Sequence, residues 1–482
     1  MLKLKYMKLF LKINLLLLAT YTSSWAQLTL TGPDSIFGSL SSTDFSLSKA
    51  SDFAVNGNIS YENFQRLNEP ARRTEFEDWA GFNFNVSGRF GEYHFQHQSD
   101  YRVYINNDNQ VNVSVPSTYL EYKDSNYRLS IGRQILNWNE NEAYWLRDTL
   151  NYNQGFYLLG DKQEGLTGIQ YDYRPHENFT VSVFFSYLNI PALNPSVSIE
   201  DGQVKTNSEW VRGVPEATSI RNRAYPIYYI LNMPDIKDIV LKKSLGFRQA
   251  FTWNEGNSEL SSYILYKPEN NIRQNAEAFL DVDNSDRITV IANPIVNHHL
   301  LYGLQYKQNI GGVKVVAGLD ISDPNARFGE DFKVLSFEEL EDQDKIFESE
   351  FFTIRPNYDK ESYAHITANL NRGNYMASIN YIHLMSENVR ASDDFFSDTV
   401  MWKRAFGGRL RYYFTDNFNV MGDFRYDLAR KDQIVKAEGS YTFLNRATLN
   451  IGMELIKSPQ ENSYWSAYRA NDTVYSSLRF LF

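Results

Sequence analysis

Seven histidines, His94, His97, His176, His298, His299, His365 and His383, are the natural bases of this 482-residue chain, which has no cysteine. Without cysteine there is no thiolate nucleophile, no zinc–thiolate centre and no disulfide. A serine nucleophile needs a base within hydrogen-bond reach. The chain carries no G-x-S-x-G elbow, no H-E-x-x-H pair and no phosphate-cradling glycine loop. His298 and His299 are adjacent, and His94 and His97 are three apart, so on an extended strand each pair faces opposite ways. The expectation is a protein that is not an enzyme and that holds no metal or cofactor. Other chemistry lies in charges spaced by two. Arg409 and Arg411 are followed by Asp423, Arg425 and Asp427. Two-residue spacing puts each set on one face of a strand. Such a row could act as a basic ladder facing carboxylates, setting up a transverse field across a passage. It could equally neutralise itself and stiffen a wall.

The elements that would carry these charges are strands throughout. Val474, Leu478, Phe480 and Phe482 share one face, opposite Tyr475, Ser477, Arg479 and Leu481. Phe418, Val420, Phe424 and Tyr426 oppose Asn419, Asp423, Arg425 and Asp427. The same two-residue period recurs in runs of about ten, the length a tilted strand needs to cross a bilayer. It predicts strands over 52–64, 78–90, 92–105, 115–123, 127–138, 164–174, 179–190, 244–253, 259–266, 299–308, 313–321, 360–371, 374–386, 402–414, 418–429, 433–443, 445–457 and 472–482. That is eighteen, with sixteen as the runner-up. The pair 244–253 and 259–266 is the least regular, and 285–293 is either a further strand or part of a loop. Tight turns such as Gly91-Glu92, Gly311-Gly312 and Thr415-Asp416-Asn417 alternate with long polar connections. The predicted fold is all-β: a single closed antiparallel transmembrane β-barrel with short periplasmic turns and long extracellular loops. Trp79, Trp138, Trp402, Tyr363, Tyr412 and Phe414 fall near strand ends, where an interfacial aromatic girdle would lie.

With apolar residues facing lipid, the alternate side chains line the interior. Arg102, Arg128, Asp172, Arg174, Lys314, Asp320, Arg409, Arg411, Asp423, Arg425, Asp427 and Glu454 are the expected pore-lining set. A basic group could not stand at the lipid midplane without a cost of ~2–4 kcal/mol. Residues 1–26 read as a signal peptide: Lys3, Lys5, Lys8 and Lys12, then Leu15–Leu18, then Ser24-Trp25-Ala26 before a cut between Ala26 and Gln27. Losing those four lysines moves the net charge from -10 to -14. So acidic a chain is not built for nucleic acid. Residues 27–51 form a periplasmic segment, and 52–482 form the barrel.

The closing strand, with Leu478, Phe480 and the final Phe482, resembles the carboxy-terminal signature of bacterial outer-membrane β-barrels. That resemblance implies recognition by the barrel assembly machinery and residence in outer-membrane lipid. Ile131-Gly132-Arg133-Gln134, leading to Trp138, resembles a step in porin-like proteins of the Bacteroidota and in eighteen-stranded export and porin families. The functional expectation is a porin-like channel for passive diffusion of small hydrophilic solutes. The alternative is a non-conducting or plugged barrel serving as an accessory subunit of an export, uptake or assembly complex. A homo-oligomer and further outer-membrane subunits stay open as partners. In the loops, 330–350 carries Glu330, Asp331, Glu338, Glu339, Glu341, Asp342, Asp344, Glu348 and Glu350. It reads as a solvated surface helix opened by a Ser336–Glu339 capping box, or as an acidic lid or cation site at the outer mouth. The aromatic stretches 139–163 and 210–229 suit either loop self-packing or a constriction folded into the ring. Pro234 with Ile236, Ile239 and Val240 suggests a short loop helix.

Overall fold

The computed structural model describes residues 53–482, apart from 69–75, 106–110, 282–286, 325–332, 335–351, 355–359, 387–399 and the positions 154, 161, 193, 196, 207, 212, 221–222, 271, 445 and 461–462. The predicted signal peptide, the 27–51 segment and almost all of the acidic 330–350 stretch lie outside the described residues.

Eighteen strands close into one ring. In chain order they are β1 (Phe53–Arg66), β2 (Phe76–Phe90), β3 (Tyr93–Tyr104), β4 (Val111–Lys123), β5 (Tyr127–Gln134) and β6 (Leu166–His176). Then follow β7 (Phe179–Ser186), β8 (Ser244–Trp253), β9 (Ser258–Pro268), β10 (His298–Ile310), β11 (Val313–Pro324) and β12 (Glu361–Arg372). The ring ends with β13 (Tyr375–Leu384), β14 (Arg404–Thr415), β15 (Phe418–Asp427), β16 (Gln433–Phe443), β17 (Ala447–Lys457) and β18 (Thr473–Leu481). Each strand pairs antiparallel with its sequence neighbours, and β1 pairs with β18 from Asn58↔Leu481 to Arg66↔Thr473, so no edge is left. The least regular predicted pair forms as β8 and β9. Residues 287–295 form a strand, but not of the ring. They belong to a loop sheet with 217–220, 223–231, 273–281, 352–354 and 333–334. The expected loop helix is present as α1 (Ile236–Val240), preceded by Pro234, with Asp235 at its N-cap position and no side-chain capping hydrogen bond.

Short turns at one end alternate with long loops at the other, such as 135–165 and 187–243. By the usual barrel layout the long loops are extracellular. The outward face is apolar: Val183, Phe185, Phe247, Ile264, Leu304, Ile379, Leu410 and Ile451 are all exposed. An exposed belt of this extent in water would aggregate, and hydrocarbon is the solvent that satisfies it. Ile451 sits mid-strand on β17, 56% exposed. Ile451→Arg is expected to cost ~2–4 kcal/mol in urea unfolding from lipid vesicles, because the guanidinium meets the bilayer core. An unchanged midpoint would place that face in water.

The aromatic girdle needs correction. Tyr412 and Phe414 face outward, but Trp79, Trp138, Trp402 and Tyr363 are almost fully buried inside the ring. Parity explains it. Trp79 shares its face with Asn83 and Tyr363 with His365, so nearness to a strand end does not decide orientation. These side chains pack instead into apolar clusters that loops bring into the barrel. One joins Trp145, Trp402, Trp465, Tyr363 and Ile382; another joins Phe64, Trp79, Tyr104, Phe156 and Tyr475.

Candidate functional site

Among the described residues, the segment 135–165, between β5 and β6, crosses the lumen. Its entry is built by the glycine step noted in the sequence. Gly132 has φ +133°, and a Cβ there would stand 2.2 Å from the Thr118 carbonyl oxygen, so only glycine fits. Arg133 then turns inward to pair with buried Glu164 at the loop's other end. That pair clamps the two ends together.

Four consecutive residues, Asn139-Glu140-Asn141-Glu142, carry the segment across. Asn139 donates to Asp320 Oδ2 on β11 (2.7 Å) and accepts from Gln305 on β10 (2.6 Å). Glu140 reaches Lys307 (2.7 Å) and Lys314 (2.5 Å) on β10 and β11. Burial works against ionisation of Glu140, but the two ammonium groups outweigh it and hold its carboxyl below the usual range. Asn141 donates to His365 Nδ1 on β12 (2.5 Å) and accepts from Thr367. His365 Nε2 lies 2.6 Å from Asp320, which also takes Arg147 (3.3 Å) and Tyr263 (3.2 Å). Glu142 turns back into the segment itself. It accepts from the Thr149 amide and hydroxyl (2.8 Å each), the Leu150 amide and the Asn151 amide (3.3 Å). Burial pushes its carboxyl up.

Farther along, Trp402 Nε1 donates to the Trp145 carbonyl (2.8 Å). Tyr157 donates to Glu454 on β17, and Lys162 pairs with Asp100 on β3. The segment therefore touches walls on opposite sides of the ring. Asp148 fastens it to the outer loops: it accepts from the Asn153 amide (2.7 Å) and from Asn270 (2.8 Å), and Asn270 accepts from the Ala192 amide (3.1 Å).

Burial pushes Asp148 up to about 7 from its ordinary 3.8. The folded form then keeps a proton that the unfolded segment releases. This contribution to loop stability is full below the ordinary carboxylate value and is lost as pH rises through about 7. Acidification from neutral pH is expected to tighten the segment and lower conductance, and Asp148→Asn should flatten that dependence. A titration identical in the variant and the parent would remove Asp148 from the account.

The expected pore-lining residues all fall on the inner side of the ring, but they do different things. Arg409 and Arg425 share Asp423, at 2.6 and 3.4 Å, beneath the Tyr144 ring, which sits 5.6 and 4.9 Å from the two guanidinium carbons. Arg411 contacts Met421 Sδ (3.4 Å) and has no carboxylate in ion-pair range among the described residues. Arg409 and Arg425 thus converge on Asp423, while Arg411 stands apart on Met421. Asp427 takes no part. It accepts the Lys403 and Ala429 amides (2.7 and 2.8 Å) and caps the outer ends of β14 and β15. Arg128 pairs with Asp172 (2.5 Å) and Glu121 (3.6 Å). Arg102 pairs with Asp100 (3.6 Å) and covers the Trp79 ring (5.0 Å). Lys436 pairs with Glu454 (2.8 Å), and Arg174 is partly buried on β6. The closing residues Leu478, Phe480 and Phe482 face outward; the Phe482 ring lies where a Cβ on Gly57 would stand, 2.7 Å away.

Sequence reasoning did not assign Glu140, Glu142, Arg147 and Lys162. The Asn-Glu-Asn-Glu run was the available signal: four consecutive polar side chains, followed by Tyr144 and Trp145, suit a segment with polar walls on every side. Among the described residues no cluster of metal-ligating side chains forms, and no helix is long and apolar enough to cross a membrane.

No protein-family model matches the chain, and no curated protein is similar to it. Among solved structures the chain is similar to the outer membrane protein OpdK from Pseudomonas aeruginosa, with 12% identity over 91% of this chain and 100% of that one, at a TM-score of 0.46. It is also similar to OccK2 (OpdF) from Pseudomonas aeruginosa in complex with glucuronate (11% identity, 91% and 99% coverage, TM-score 0.47). A third is a BenF-like porin from Pseudomonas fluorescens Pf-5 (10% identity, 91% and 99% coverage, TM-score 0.44).

Proposed function

We propose that this protein is a porin-like channel of the outer membrane for small hydrophilic solutes, with a preference for anions. One observation carries the reading. In the most exposed inner-face ion pairs the cation is the accessible member; around Glu259, 16% exposed against 13% for Arg248 and 10% for Lys307, the order is reversed. The side chains of Lys162 and Arg479 are 42% exposed, Arg128 30%, Lys314 25% and Lys436 21%, while their carboxylate partners are 12% exposed or less. A solute in the lumen meets ammonium and guanidinium groups, although the chain as a whole is acidic. A cleft lined by one sign of charge concentrates the opposite sign. The crossing segment would narrow the path and select by size and charge, with Arg409, Arg411 and Arg425 as the inner basic station. The Bacteroidota-type affiliation suggested by Ile131-Gly132-Arg133-Gln134 belongs to the same proposal.

The reach of 135–165 to opposite walls favours a second reading, a plugged accessory barrel. Flux separates the two. Vesicles containing the purified protein are expected to swell faster in a small carboxylate than in a cationic solute of equal size. No swelling in any solute, together with co-purifying subunits, would select the plugged reading.

A further inference from the structure

The outer rim above β7 and β8 departs from the rest of the loop end. The outward face of β7 does not stop at the strand: Tyr187, Leu188 and Ile190 continue it, all exposed. The loop that follows returns as α1, which is pinned against this extension. The Asn189 amide donates to the Val240 carbonyl (2.8 Å), and its side chain donates to the Ile239 carbonyl (3.2 Å). No residue of α1 is buried, and Met233, Ile236 and Leu241 are 68%, 79% and 64% exposed. This apolar surface is therefore continuous with the lipid-facing belt and lies at its outer margin.

Basic groups border it. Lys242 and Lys243 lead into β8, and both act electrostatically on His298 at the outer end of β10. The His298 ring donates to the Lys243 carbonyl (3.2 Å) and stacks on the outward Tyr266 ring at 4.8 Å. Among the described residues neither lysine has a carboxylate in ion-pair range; Lys237 on α1 does, in Asp235 (3.0 Å). Glu269, the carboxylate bearing on His298, is buried. Ser244 pairs with Ser186, so Lys242 and Lys243 stand just outside the last ring pair, level with Leu188 and Tyr187. Exposed Phe185, Leu245 and Phe247 lie below them on the lipid face. Apolar side chains below unpaired ammonium groups match an acyl chain ending in a phosphate at the membrane surface.

We propose that this rim holds an anionic, phosphate-bearing lipid of the outer leaflet. Phe185, Tyr187, Leu245 and Phe247 contact its acyl chains, and Lys242, Lys243 and His298 take its phosphate. The site requires the barrel to stand in a membrane but is independent of what the lumen passes.

The test uses the full-length barrel reconstituted in mixed phosphatidylcholine–phosphatidic acid vesicles. It is extracted into detergent and weighed by native mass spectrometry. The parent should retain phosphatidic acid in preference to phosphatidylcholine. In the Lys242→Gln/Lys243→Gln variant that preference should fall roughly thirtyfold, the loss of two lysines beside an anionic surface, while Lys242→Arg/Lys243→Arg should keep it. Heat-modifiable gel migration reports that the barrel itself has folded. Equal retention by the parent and the glutamine variant would overturn the proposal. So would displacement of the lipid by inorganic phosphate alone, or recovery of an acidic protein in its place. Conductance is recorded separately: unchanged conductance in the glutamine variant is expected, and a change would move these lysines from the lipid rim to the solute path.

Discussion

Glu142→Ala is expected to release the segment that crosses the lumen and raise single-channel conductance. The Glu142 carboxylate is buried and collects the amides of Thr149, Leu150 and Asn151 together with the Thr149 hydroxyl. Alanine would leave three amides without their acceptor in a dry site. Each orphaned buried donor costs ~1–3 kcal/mol, so the local loss is about 3–5 kcal/mol after relaxation. The ring does not depend on this carboxylate, because its strands are closed by backbone pairing. The expected signature is therefore larger, noisier steps and new protease cuts within 139–163, with the heat-modified gel shift retained. Glu142→Gln keeps one oxygen acceptor and should fall between the parent and alanine. Parental conductance and protease resistance in the alanine variant would show that 135–165 is held by something else.

Neutralising Arg409, Arg411 and Arg425 together is expected to move the reversal potential in a salt gradient toward the cation side. Two of these guanidiniums also support Asp423, so the charge effect must be separated from a folding effect. Arg409→Gln with Arg425→Gln strips Asp423 of both partners, and an uncompensated buried carboxylate costs ~3–5 kcal/mol. Arg411 has no such obligation among the described residues: it stands near two other cations and touches Met421. Arg411→Gln should therefore leave stability at or above the parent while shifting the potential in the same direction by a smaller amount. If the triple variant folds and its potential is unchanged, solutes do not pass this station.

The ring was legible because its strands have local environments. Each side chain of β15 or β18 sees either lipid or the interior, so alternation in ten residues reports the face without knowledge of the partner strand. Even the irregular pair β8 and β9 obeyed it. The contents of the ring were not legible in the same way. Whether 135–165 folds inward depends on Lys307, Lys314, Asp320, His365 and Glu454, which are far apart in sequence and converge only when the barrel closes. Trp79 and Tyr363 were assigned to a lipid interface from their place along the strand, although their own parity pointed inward, where the folded-in segment supplies the apolar partners. Asp427 has inward parity but is the last residue of its strand, and the amides of the adjoining turn take its oxygens.

Planar-bilayer recording of the purified, refolded protein tests the central claim most directly. Ohmic steps with a reversal potential on the anion side are the predicted result. A protein that inserts, as judged by its gel shift and lipid association, yet passes no current in any salt would contradict it.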